Sequence, residues 1–150
     1  MEIERKYLVR ELPEDLNSYP YTEIEQVYLL DNPVIRIRKA GEKYVLTVKG
    51  EGLLSREELN LPLTEEAYAR LYEKKEGVPV TKRRYKIPYE GLTIELDLFK
   101  GAQDGLVLAE VEFDSVEASE AFAPPAWFGE EVTYDPRYQN VSMAYQSRED

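Results

Sequence analysis

Five short stretches of the chain set like-charged residues two positions apart: Glu2-Ile3-Glu4, Arg36-Ile37-Arg38, Lys82-Arg83-Arg84, Glu95-Leu96-Asp97 and Glu110-Val111-Glu112. In a β-strand, residues i and i+2 project from one face about 7 Å apart. Each stretch therefore reads as a strand with one charged face, of a single sign, and one mostly apolar face. A strand whose polar face simply meets water carries mixed residues. Crowded like charges are unfavourable unless something of opposite sign sits among them.

The punctuation of the chain extends this reading. Residues 2–10, 24–30, 34–39, 43–49 and 55–61 read as strands, the later ones joined by tight turns at Ala40-Gly41-Glu42 and Gly50-Glu51-Gly52. Thr64-Glu65-Glu66 opens an amphipathic helix with Ala67, Tyr68, Leu71 and Tyr72 at helical spacing, and Gly77 and Pro79 stop it. Strands over 81–88, 92–99 and 106–113 follow. Ser115 caps a second helix running toward Phe122, Pro124-Pro125 breaks it, and an irregular segment from Trp127 contains a short final helix after Pro136. No linker divides the 150 residues, which are expected to form one domain.

Eight strands, mostly hairpin-linked, predict a β-rich α+β fold: a closed eight-stranded antiparallel β-barrel flanked by two or three helices. Alternation places Glu2, Glu4, Lys6, Arg36, Arg38, Thr47, Lys49, Arg56, Glu58, Lys82, Arg84, Glu95, Asp97, Glu110 and Glu112 on one set of faces. The opposite faces carry Ile35, Ile37, Leu46, Val48, Leu59, Leu61, Ile94, Leu96, Leu98, Ala109, Val111 and Phe113. The apolar faces need cover, which helices and the segment around Trp127 and Phe128 supply in part; a homodimer interface is a candidate for the rest. The charged faces are then expected to line a polar lumen. An open sheet with its charged face in water is the alternative, and it leaves the segregation by sign unexplained. Arg5 and Arg83 interrupt the apolar alternation.

The formal charge is −11, from 19 basic and 30 acidic residues. That argues against a nucleic-acid partner, which needs a basic face. Seven of the basic residues nevertheless stand on the charged faces, an arrangement that favours small anions able to enter a cavity. The chain has no cysteine, which suits the cytoplasm, no spanning apolar run, and charges from Glu2 onward where a signal peptide would be apolar. It has no histidine, so hydrolysis would rest on carboxylates, Lys, Tyr or metal-activated water.

Arg and Lys converging in a confined space match phosphoryl oxygens, by bidentate fork and by point charge. Carboxylates beside them supply the hard oxygens that Mg²⁺ or Mn²⁺ prefers. A phosphate chain with bound metal satisfies both walls, and the chemistry that follows is metal-assisted phosphoryl transfer.

The string Glu2-Ile3-Glu4-Arg5-Lys6 fits an E-x-E-x-K signature, and it is followed in order by VIRIR, YVLTVKG, LSREEL, Lys82-Arg83-Arg84, IELDLF, LAEVEF and WFGEEVTYDPRYQN. These motifs, over nearly the whole chain, resemble the CYTH family, also called triphosphate tunnel metalloenzymes. The resemblance implies an eight-stranded tunnel that binds triphosphates with divalent metal. It implies Glu2, Glu4, Asp97, Glu110 and Glu112 as metal ligands, directly or through water, with Glu95 on the same face. It implies Lys6, Arg36, Arg38, Lys49, Arg56, Lys82, Arg84 and Arg137 as phosphate holders. Short bacterial members are known chiefly as inorganic triphosphatases cleaving tripolyphosphate; in those Lys82 would be the general acid, Glu58 would orient the water, and Tyr28 would sit at one end of the tunnel. Related short members tend to carry an acid where this chain has Asn60. The competing readings are an organic triphosphate substrate (thiamine triphosphate, a nucleoside triphosphate, or ATP cyclised to cyclic AMP), with Tyr28, Tyr138 or Tyr145 at a tunnel mouth, and a non-catalytic polyphosphate-binding module.

Overall fold

The computed structural model describes residues 1–52 and 54–145. Ten strands build its sheet: β1 (Glu2–Val9), β2 (Tyr21–Asp31), β3 (Val34–Ala40), β4 (Lys43–Lys49), β5 (Ser55–Arg56), β6 (Glu58–Pro62), β7 (Glu76–Tyr89), β8 (Leu92–Lys100), β9 (Val107–Glu112) and β10 (Phe128–Glu131). Three short helices accompany them: α1 (Glu65–Tyr72), α2 (Val116–Glu120) and α3 (Asn140–Tyr145). The hydrogen-bonded order is β10-β1-β9-β8-β7-β2-β3-β4-β6, and every ladder is antiparallel.

The ladders do not close the sheet into the expected eight-stranded barrel. No ladder joins β6 to β1. Instead β5 pairs with β1 through Glu2 opposite Arg56 and Ile3 opposite Ser55, and Glu57 alone separates β5 from β6. What reads as one fifth strand is thus two, and hydrogen bonding is interrupted between them. The other added strand, β10, comes from the tail: Tyr7 lies opposite Glu131 and Val9 opposite Phe128. The irregular WFGEE sequence hides it, because its register shifts after two residues of β1.

Alternation orders the rest. The outward faces of β1, β7, β8 and β9 form a cluster around Tyr7, Tyr85, Leu96, Val111 and Phe113, covered by Phe122, Trp127 and Phe128. On the other side Val27 and Ile37 pack beneath Tyr68 of α1, whose ring lies 5.0 Å from that of Tyr44. Both capping residues act as their sequences predict: Thr64 Oγ1 accepts from Ala67 N at 3.1 Å, and Ser115 Oγ from Ala118 N at 3.0 Å. A third cluster lies at one end of the sheet, where Met143, Ala144 and Tyr145 of α3 pack on Tyr28, Val80, Phe99 and Leu108. Gly77 makes this seat. Its φ is +66°, and a Cβ there would collide with the Ala144 carbonyl.

The two residues that break the apolar alternation both have partners. Arg83 donates from Nε to Glu23 Oε1 at 2.6 Å and lies over the Tyr21 ring at 4.3 Å. Arg5 donates to both Glu131 oxygens, Nε to Oε2 at 2.8 Å and Nη2 to Oε1 at 2.6 Å. Its Nη1 donates to the Ser119 carbonyl at 2.7 Å, so one guanidinium ties β1, β10 and α2 together. Among the described residues, no helix is long and apolar enough to cross a membrane.

The Arg5 fork holds Glu131 below its ordinary value, chiefly through the hydrogen bond itself. A carboxylate depressed in the fold contributes stability that is present above its unfolded value near 4.5 and lost as pH falls through the folded value. Glu131→Gln is therefore expected to cost about 1–2 kcal/mol in urea unfolding at pH 7. The difference from the parent should shrink steadily as the titration is repeated below pH 4.5.

Candidate active site

The charged faces converge on a cavity of about 190 Å³. Its lining contains Glu2, Glu4, Lys6, Tyr28, Arg36, Arg38, Lys49, Arg56, Glu58, Lys82, Arg84, Glu95, Glu110 and Glu112. Strand register explains why they meet. Glu4 is opposite Glu112 and Lys6 opposite Glu110 across β1 and β9; Glu95 is opposite Glu110 across β8 and β9; Arg84 is opposite Asp97 across β7 and β8. On the other wall Arg36 is opposite both Tyr28 and Thr47, and Lys49 is opposite Glu58. At the outer end Glu95 and Glu112 also border a shallower groove with Lys86, Thr93 and Asp114. At the inner end Gln139, Asn140 and Val141 form a floor.

The charges fall into two populations, and this is what the sign pattern alone does not reveal. One is internally compensated. Arg84 grips Asp97 with two bonds, Nε to Oδ1 at 2.8 Å and Nη2 to Oδ2 at 2.9 Å, and reaches Glu95 and Glu110 at 3.3 and 3.5 Å. Lys82 Nζ lies 2.8 Å from the same Asp97 Oδ2, Lys6 Nζ 3.3 Å from Glu110, and Lys49 and Arg56 at 3.1 and 3.3 Å from Glu2. Burial alone would raise Asp97 and Glu110, but Arg84 and Lys82 hold Asp97 low, and Lys6, Arg84 and Lys82 hold Glu110 well below the carboxylate range.

The other population is uncompensated. Among the described residues, Arg36 and Arg38 form no salt bridge. Arg36 donates only to Thr47 Oγ1 at 3.2 Å, with its buried Nε unpartnered, and Arg38 donates from Nε to Gln26 Oε1 at 2.8 Å. Burial, with Arg36 and Arg84 nearby, brings Arg38 down to about 9. Glu4 and Glu112 likewise lack salt bridges among the described residues. Burial and the charges of Glu110 and Glu2 push Glu4 up to about 7; burial and the charges of Glu2, Glu95 and Glu58 raise Glu112.

Among the described residues, no three acidic side chains converge tightly enough to form a ready-made cation cage. Mg²⁺ takes one or two carboxylates and keeps waters and phosphate oxygens in the rest of its shell. The unpartnered Glu4, facing Glu112, is chemically suited to such a role.

Glu58 accepts from Asn60 Nδ2 at 2.8 Å, and Asn60 Oδ1 accepts from the Thr47 hydroxyl at 2.7 Å. Burial would raise Glu58, but hydrogen bonds with Glu2 and Asn60 and the charges of Lys49 and Arg36 bring it down to about 2. It is ionised at neutral pH, able to orient a water but a weak proton acceptor. Burial, partly opposed by Asp97, lowers Lys82 to about 7. Tyr28 is buried near the floor, its hydroxyl accepting from Gln26 Nε2 at 3.0 Å and its ring 6.4 Å from that of Tyr145.

Arg137 is not brought to the cavity. Its side chain is 80% exposed and pairs with Asp135, Nη2 to Oδ2 at 2.7 Å, in a 3-10 turn over Pro136–Tyr138. The residues that reach the interior from this segment are instead Asn140, which accepts from Lys82 Nζ at 2.9 Å, and Tyr138, whose carbonyl accepts from Lys6 Nζ at 2.9 Å. Gln26 and Asn140 carry no charge, so a reading built on sign passes over them. Gln26 does share the strand phase of Tyr28 and Ile24, and that is the signal that would have found it.

Most of the chain also matches known proteins. The CYTH domain matches residues 1–143. An inorganic triphosphatase of Nitrosomonas europaea is 44% identical over 149 residues, covering 95% of this chain and 96% of that protein. An inorganic triphosphatase of Acetivibrio thermocellus is 40% identical over 112 residues, covering 73% of this chain and 70% of that one. A crystal structure of an inorganic triphosphatase superposes with a TM-score of 0.72 at 38% identity, covering 97% of this chain and 95% of its own. A solved protein from Pyrococcus furiosus shares the fold at 24% identity, with a TM-score of 0.61 over 81% of this chain and 83% of that one. The order of charged strands, their convergence on one cavity and this match over nearly the full length place the chain in the CYTH-domain family.

Proposed function

We propose that the chain hydrolyses inorganic tripolyphosphate to pyrophosphate and phosphate with the help of Mg²⁺ or Mn²⁺. The observation that carries the reading is the pair of uncompensated sets in one cavity: Arg36 and Arg38 without carboxylates, Glu4 and Glu112 without cations. A single metal–polyphosphate complex supplies both missing partners. The relatives named as inorganic triphosphatases support the same substrate class. In this reading the sheet works as a tunnel, joined on its open side by the β5–β1 pairing and stopped at its floor by α3. The absence of cysteine suits the cytoplasm.

The metal would be held by Glu4 and Glu112, and through water by Glu2, Asp97 and Glu110; once bound it would neutralise charge on the phosphates and acidify bound water. Arg36 and Arg38, with Lys6, Lys49, Arg56 and Arg84, bind and align the phosphate chain. Glu58, ionised and fixed by Asn60, orients the attacking water. The water oxygen bonds to a terminal phosphorus as the bridging P–O bond breaks. Lys82 gives its proton to the departing pyrophosphate and regains one from solvent, balancing the proton released by the water. Lys82 lies near 7, matched to proton donation near neutral pH.

Two Leu side chains on the outer face of β6, Leu59 and Leu61, are 70% and 60% exposed, beside half-buried Leu46 and Val48. We assign this patch to a homodimer contact. Equilibrium sedimentation should show a dimer that Leu59→Glu combined with Leu61→Glu converts to a monomer; a parent that sediments as a monomer at all concentrations contradicts the assignment.

With Mg²⁺ or Mn²⁺, the parent should release phosphate from tripolyphosphate faster than from ATP or thiamine triphosphate in a panel of initial rates. Chelator should abolish release, and Lys82→Ala should lower kcat by about 10²–10⁴. No turnover with any metal would sink the reading, and a preference for an organic triphosphate would move it to that substrate. Glu4→Gln should weaken Mn²⁺ binding measured by electron paramagnetic resonance without substrate. Arg36→Ala and Arg38→Ala should each raise KM by about tenfold or more, the worth of a charge-assisted phosphate contact.

A further inference from the structure

At the cavity floor two neutral amides, Gln26 and Asn140, link Lys82 to Arg38 by hydrogen bonds. Lys82 is almost wholly buried, its ammonium 2.8 Å from Asp97 Oδ2 and 2.9 Å from Asn140 Oδ1. The same Asn140 oxygen accepts from Gln26 Nε2 at 3.2 Å. Gln26 has no exposed surface, and its Oε1 accepts from Arg38 Nε at 2.8 Å. The direction of every bond is forced. A guanidinium and an ammonium only donate, so Gln26 must turn its oxygen to Arg38 and its nitrogen to Asn140. Asn140 must then turn its oxygen to both Gln26 and Lys82. Flipping either amide would set donor against donor.

A lysine ammonium has three N–H donors. Asp97 on β8 takes one and Asn140 at the start of α3 takes another, from different elements. The third is left for the cavity that Lys82 lines. With Asp97 alone the ammonium would still be held close, but its remaining N–H bonds would turn freely about that contact. The seat of Asn140 is firm: Tyr145 Oη donates to Glu76 Oε1 at 2.7 Å at the far end of α3, and the Gly77 backbone lies directly against the Ala144 carbonyl.

From this geometry we infer that Asn140 is the positioning residue of Lys82, aiming its free N–H at the leaving phosphate oxygen and, through Gln26, fixing that donor relative to Arg38. The inference rests on the tripolyphosphatase reading with Lys82 as proton donor. It adds a neutral amide from the C-terminal helix to a site otherwise built from charged strands.

The test uses the full chain with metal. Asn140→Ala is expected to lower kcat for tripolyphosphate by at least about tenfold, part of what a positioned acid supplies. KM, and the calorimetric Kd for tripolyphosphate without metal, should stay within about threefold, because removing an interaction made in the transition state lowers kcat and leaves ground-state binding. The melting temperature should not move. Asn140→Asp, which keeps an oxygen acceptor in place, should recover part of the lost kcat. In a Lys82→Ala background Asn140→Ala should cost nothing further, since residues acting as a unit are not additive. An Asn140→Ala kcat within about twofold of the parent overturns the inference, as does an equal further loss in the Lys82→Ala background. A fall in melting temperature matching the loss of activity also overturns it, since that marks a structural role. A parent that does not turn over tripolyphosphate removes the underlying reading instead, and that shows before any variant is made.

Discussion

The bidentate grip of Arg84 on Asp97 is the contact on which the interior depends. Asp97 is wholly buried and Arg84 nearly so, and burying either charge alone would cost several kcal/mol. Together they form a neutral kernel at the meeting of β7 and β8, 2.8 and 2.9 Å apart. Lys82 and Glu110 are added to that kernel, one from each side, and Lys6 joins through Glu110. Each added charge finds a counter-charge already fixed by strand register. A lumen dense in ionised groups can therefore exist inside a fold whose apolar clusters all lie on the outer faces or beyond the floor.

Compensation stops where binding begins. Arg36 and Arg38 stand on β3, separated from β9 in sheet order by β8, β7 and β2, so the carboxylates of Glu110 and Glu112 belong to another side of the cavity. Thr47 and Gln26 satisfy part of their donor capacity with neutral oxygens, which leaves the positive charge itself unmatched. Glu4 and Glu112 are the mirror case, adjacent in register and alike in sign. Both unmatched sets weaken the empty fold, and under the proposed function both would be relieved by one anionic chain carrying a cation. The stability forgone by the free protein reappears as ligand affinity, and ligand binding should stabilise the fold in proportion.

Much of this was legible because a strand has a period of two and charge is conspicuous. Glu2, Glu4, Arg36, Arg38, Lys82, Arg84, Glu110 and Glu112 all line the cavity in the phase their spacing predicts. What escaped has physical causes. Arg5 and Arg83 look like errors of alternation because their partners, Glu131 and Glu23, are 126 and 60 positions away. The division of charges into matched and unmatched depends on which strands are neighbours, and sign spacing along one strand does not contain that. Arg137 carries the charge of a phosphate holder, yet Asp135 two residues earlier captures it locally in the turn at Pro136. Asn140 does the reverse, an unremarkable neutral residue placed at the floor by the docking of α3 on Gly77.

Asn60 shows how one neutral residue can take over work that charge might do. An acid at this position would face Glu58 with like charge and would have no hydrogen to give it. The amide instead accepts from Thr47 on one side and donates to Glu58 on the other, so Glu58 is anchored to the strand that also supports Arg36. Glu58, proposed to orient water, and Arg36, proposed to hold phosphate, are thereby linked through Thr47 and Asn60. Gln26 and Asn140 link Arg38 to Lys82 in the same way at the floor. At the floor the two neutral amides set the distance between two cations that cannot hydrogen-bond each other, because both only donate.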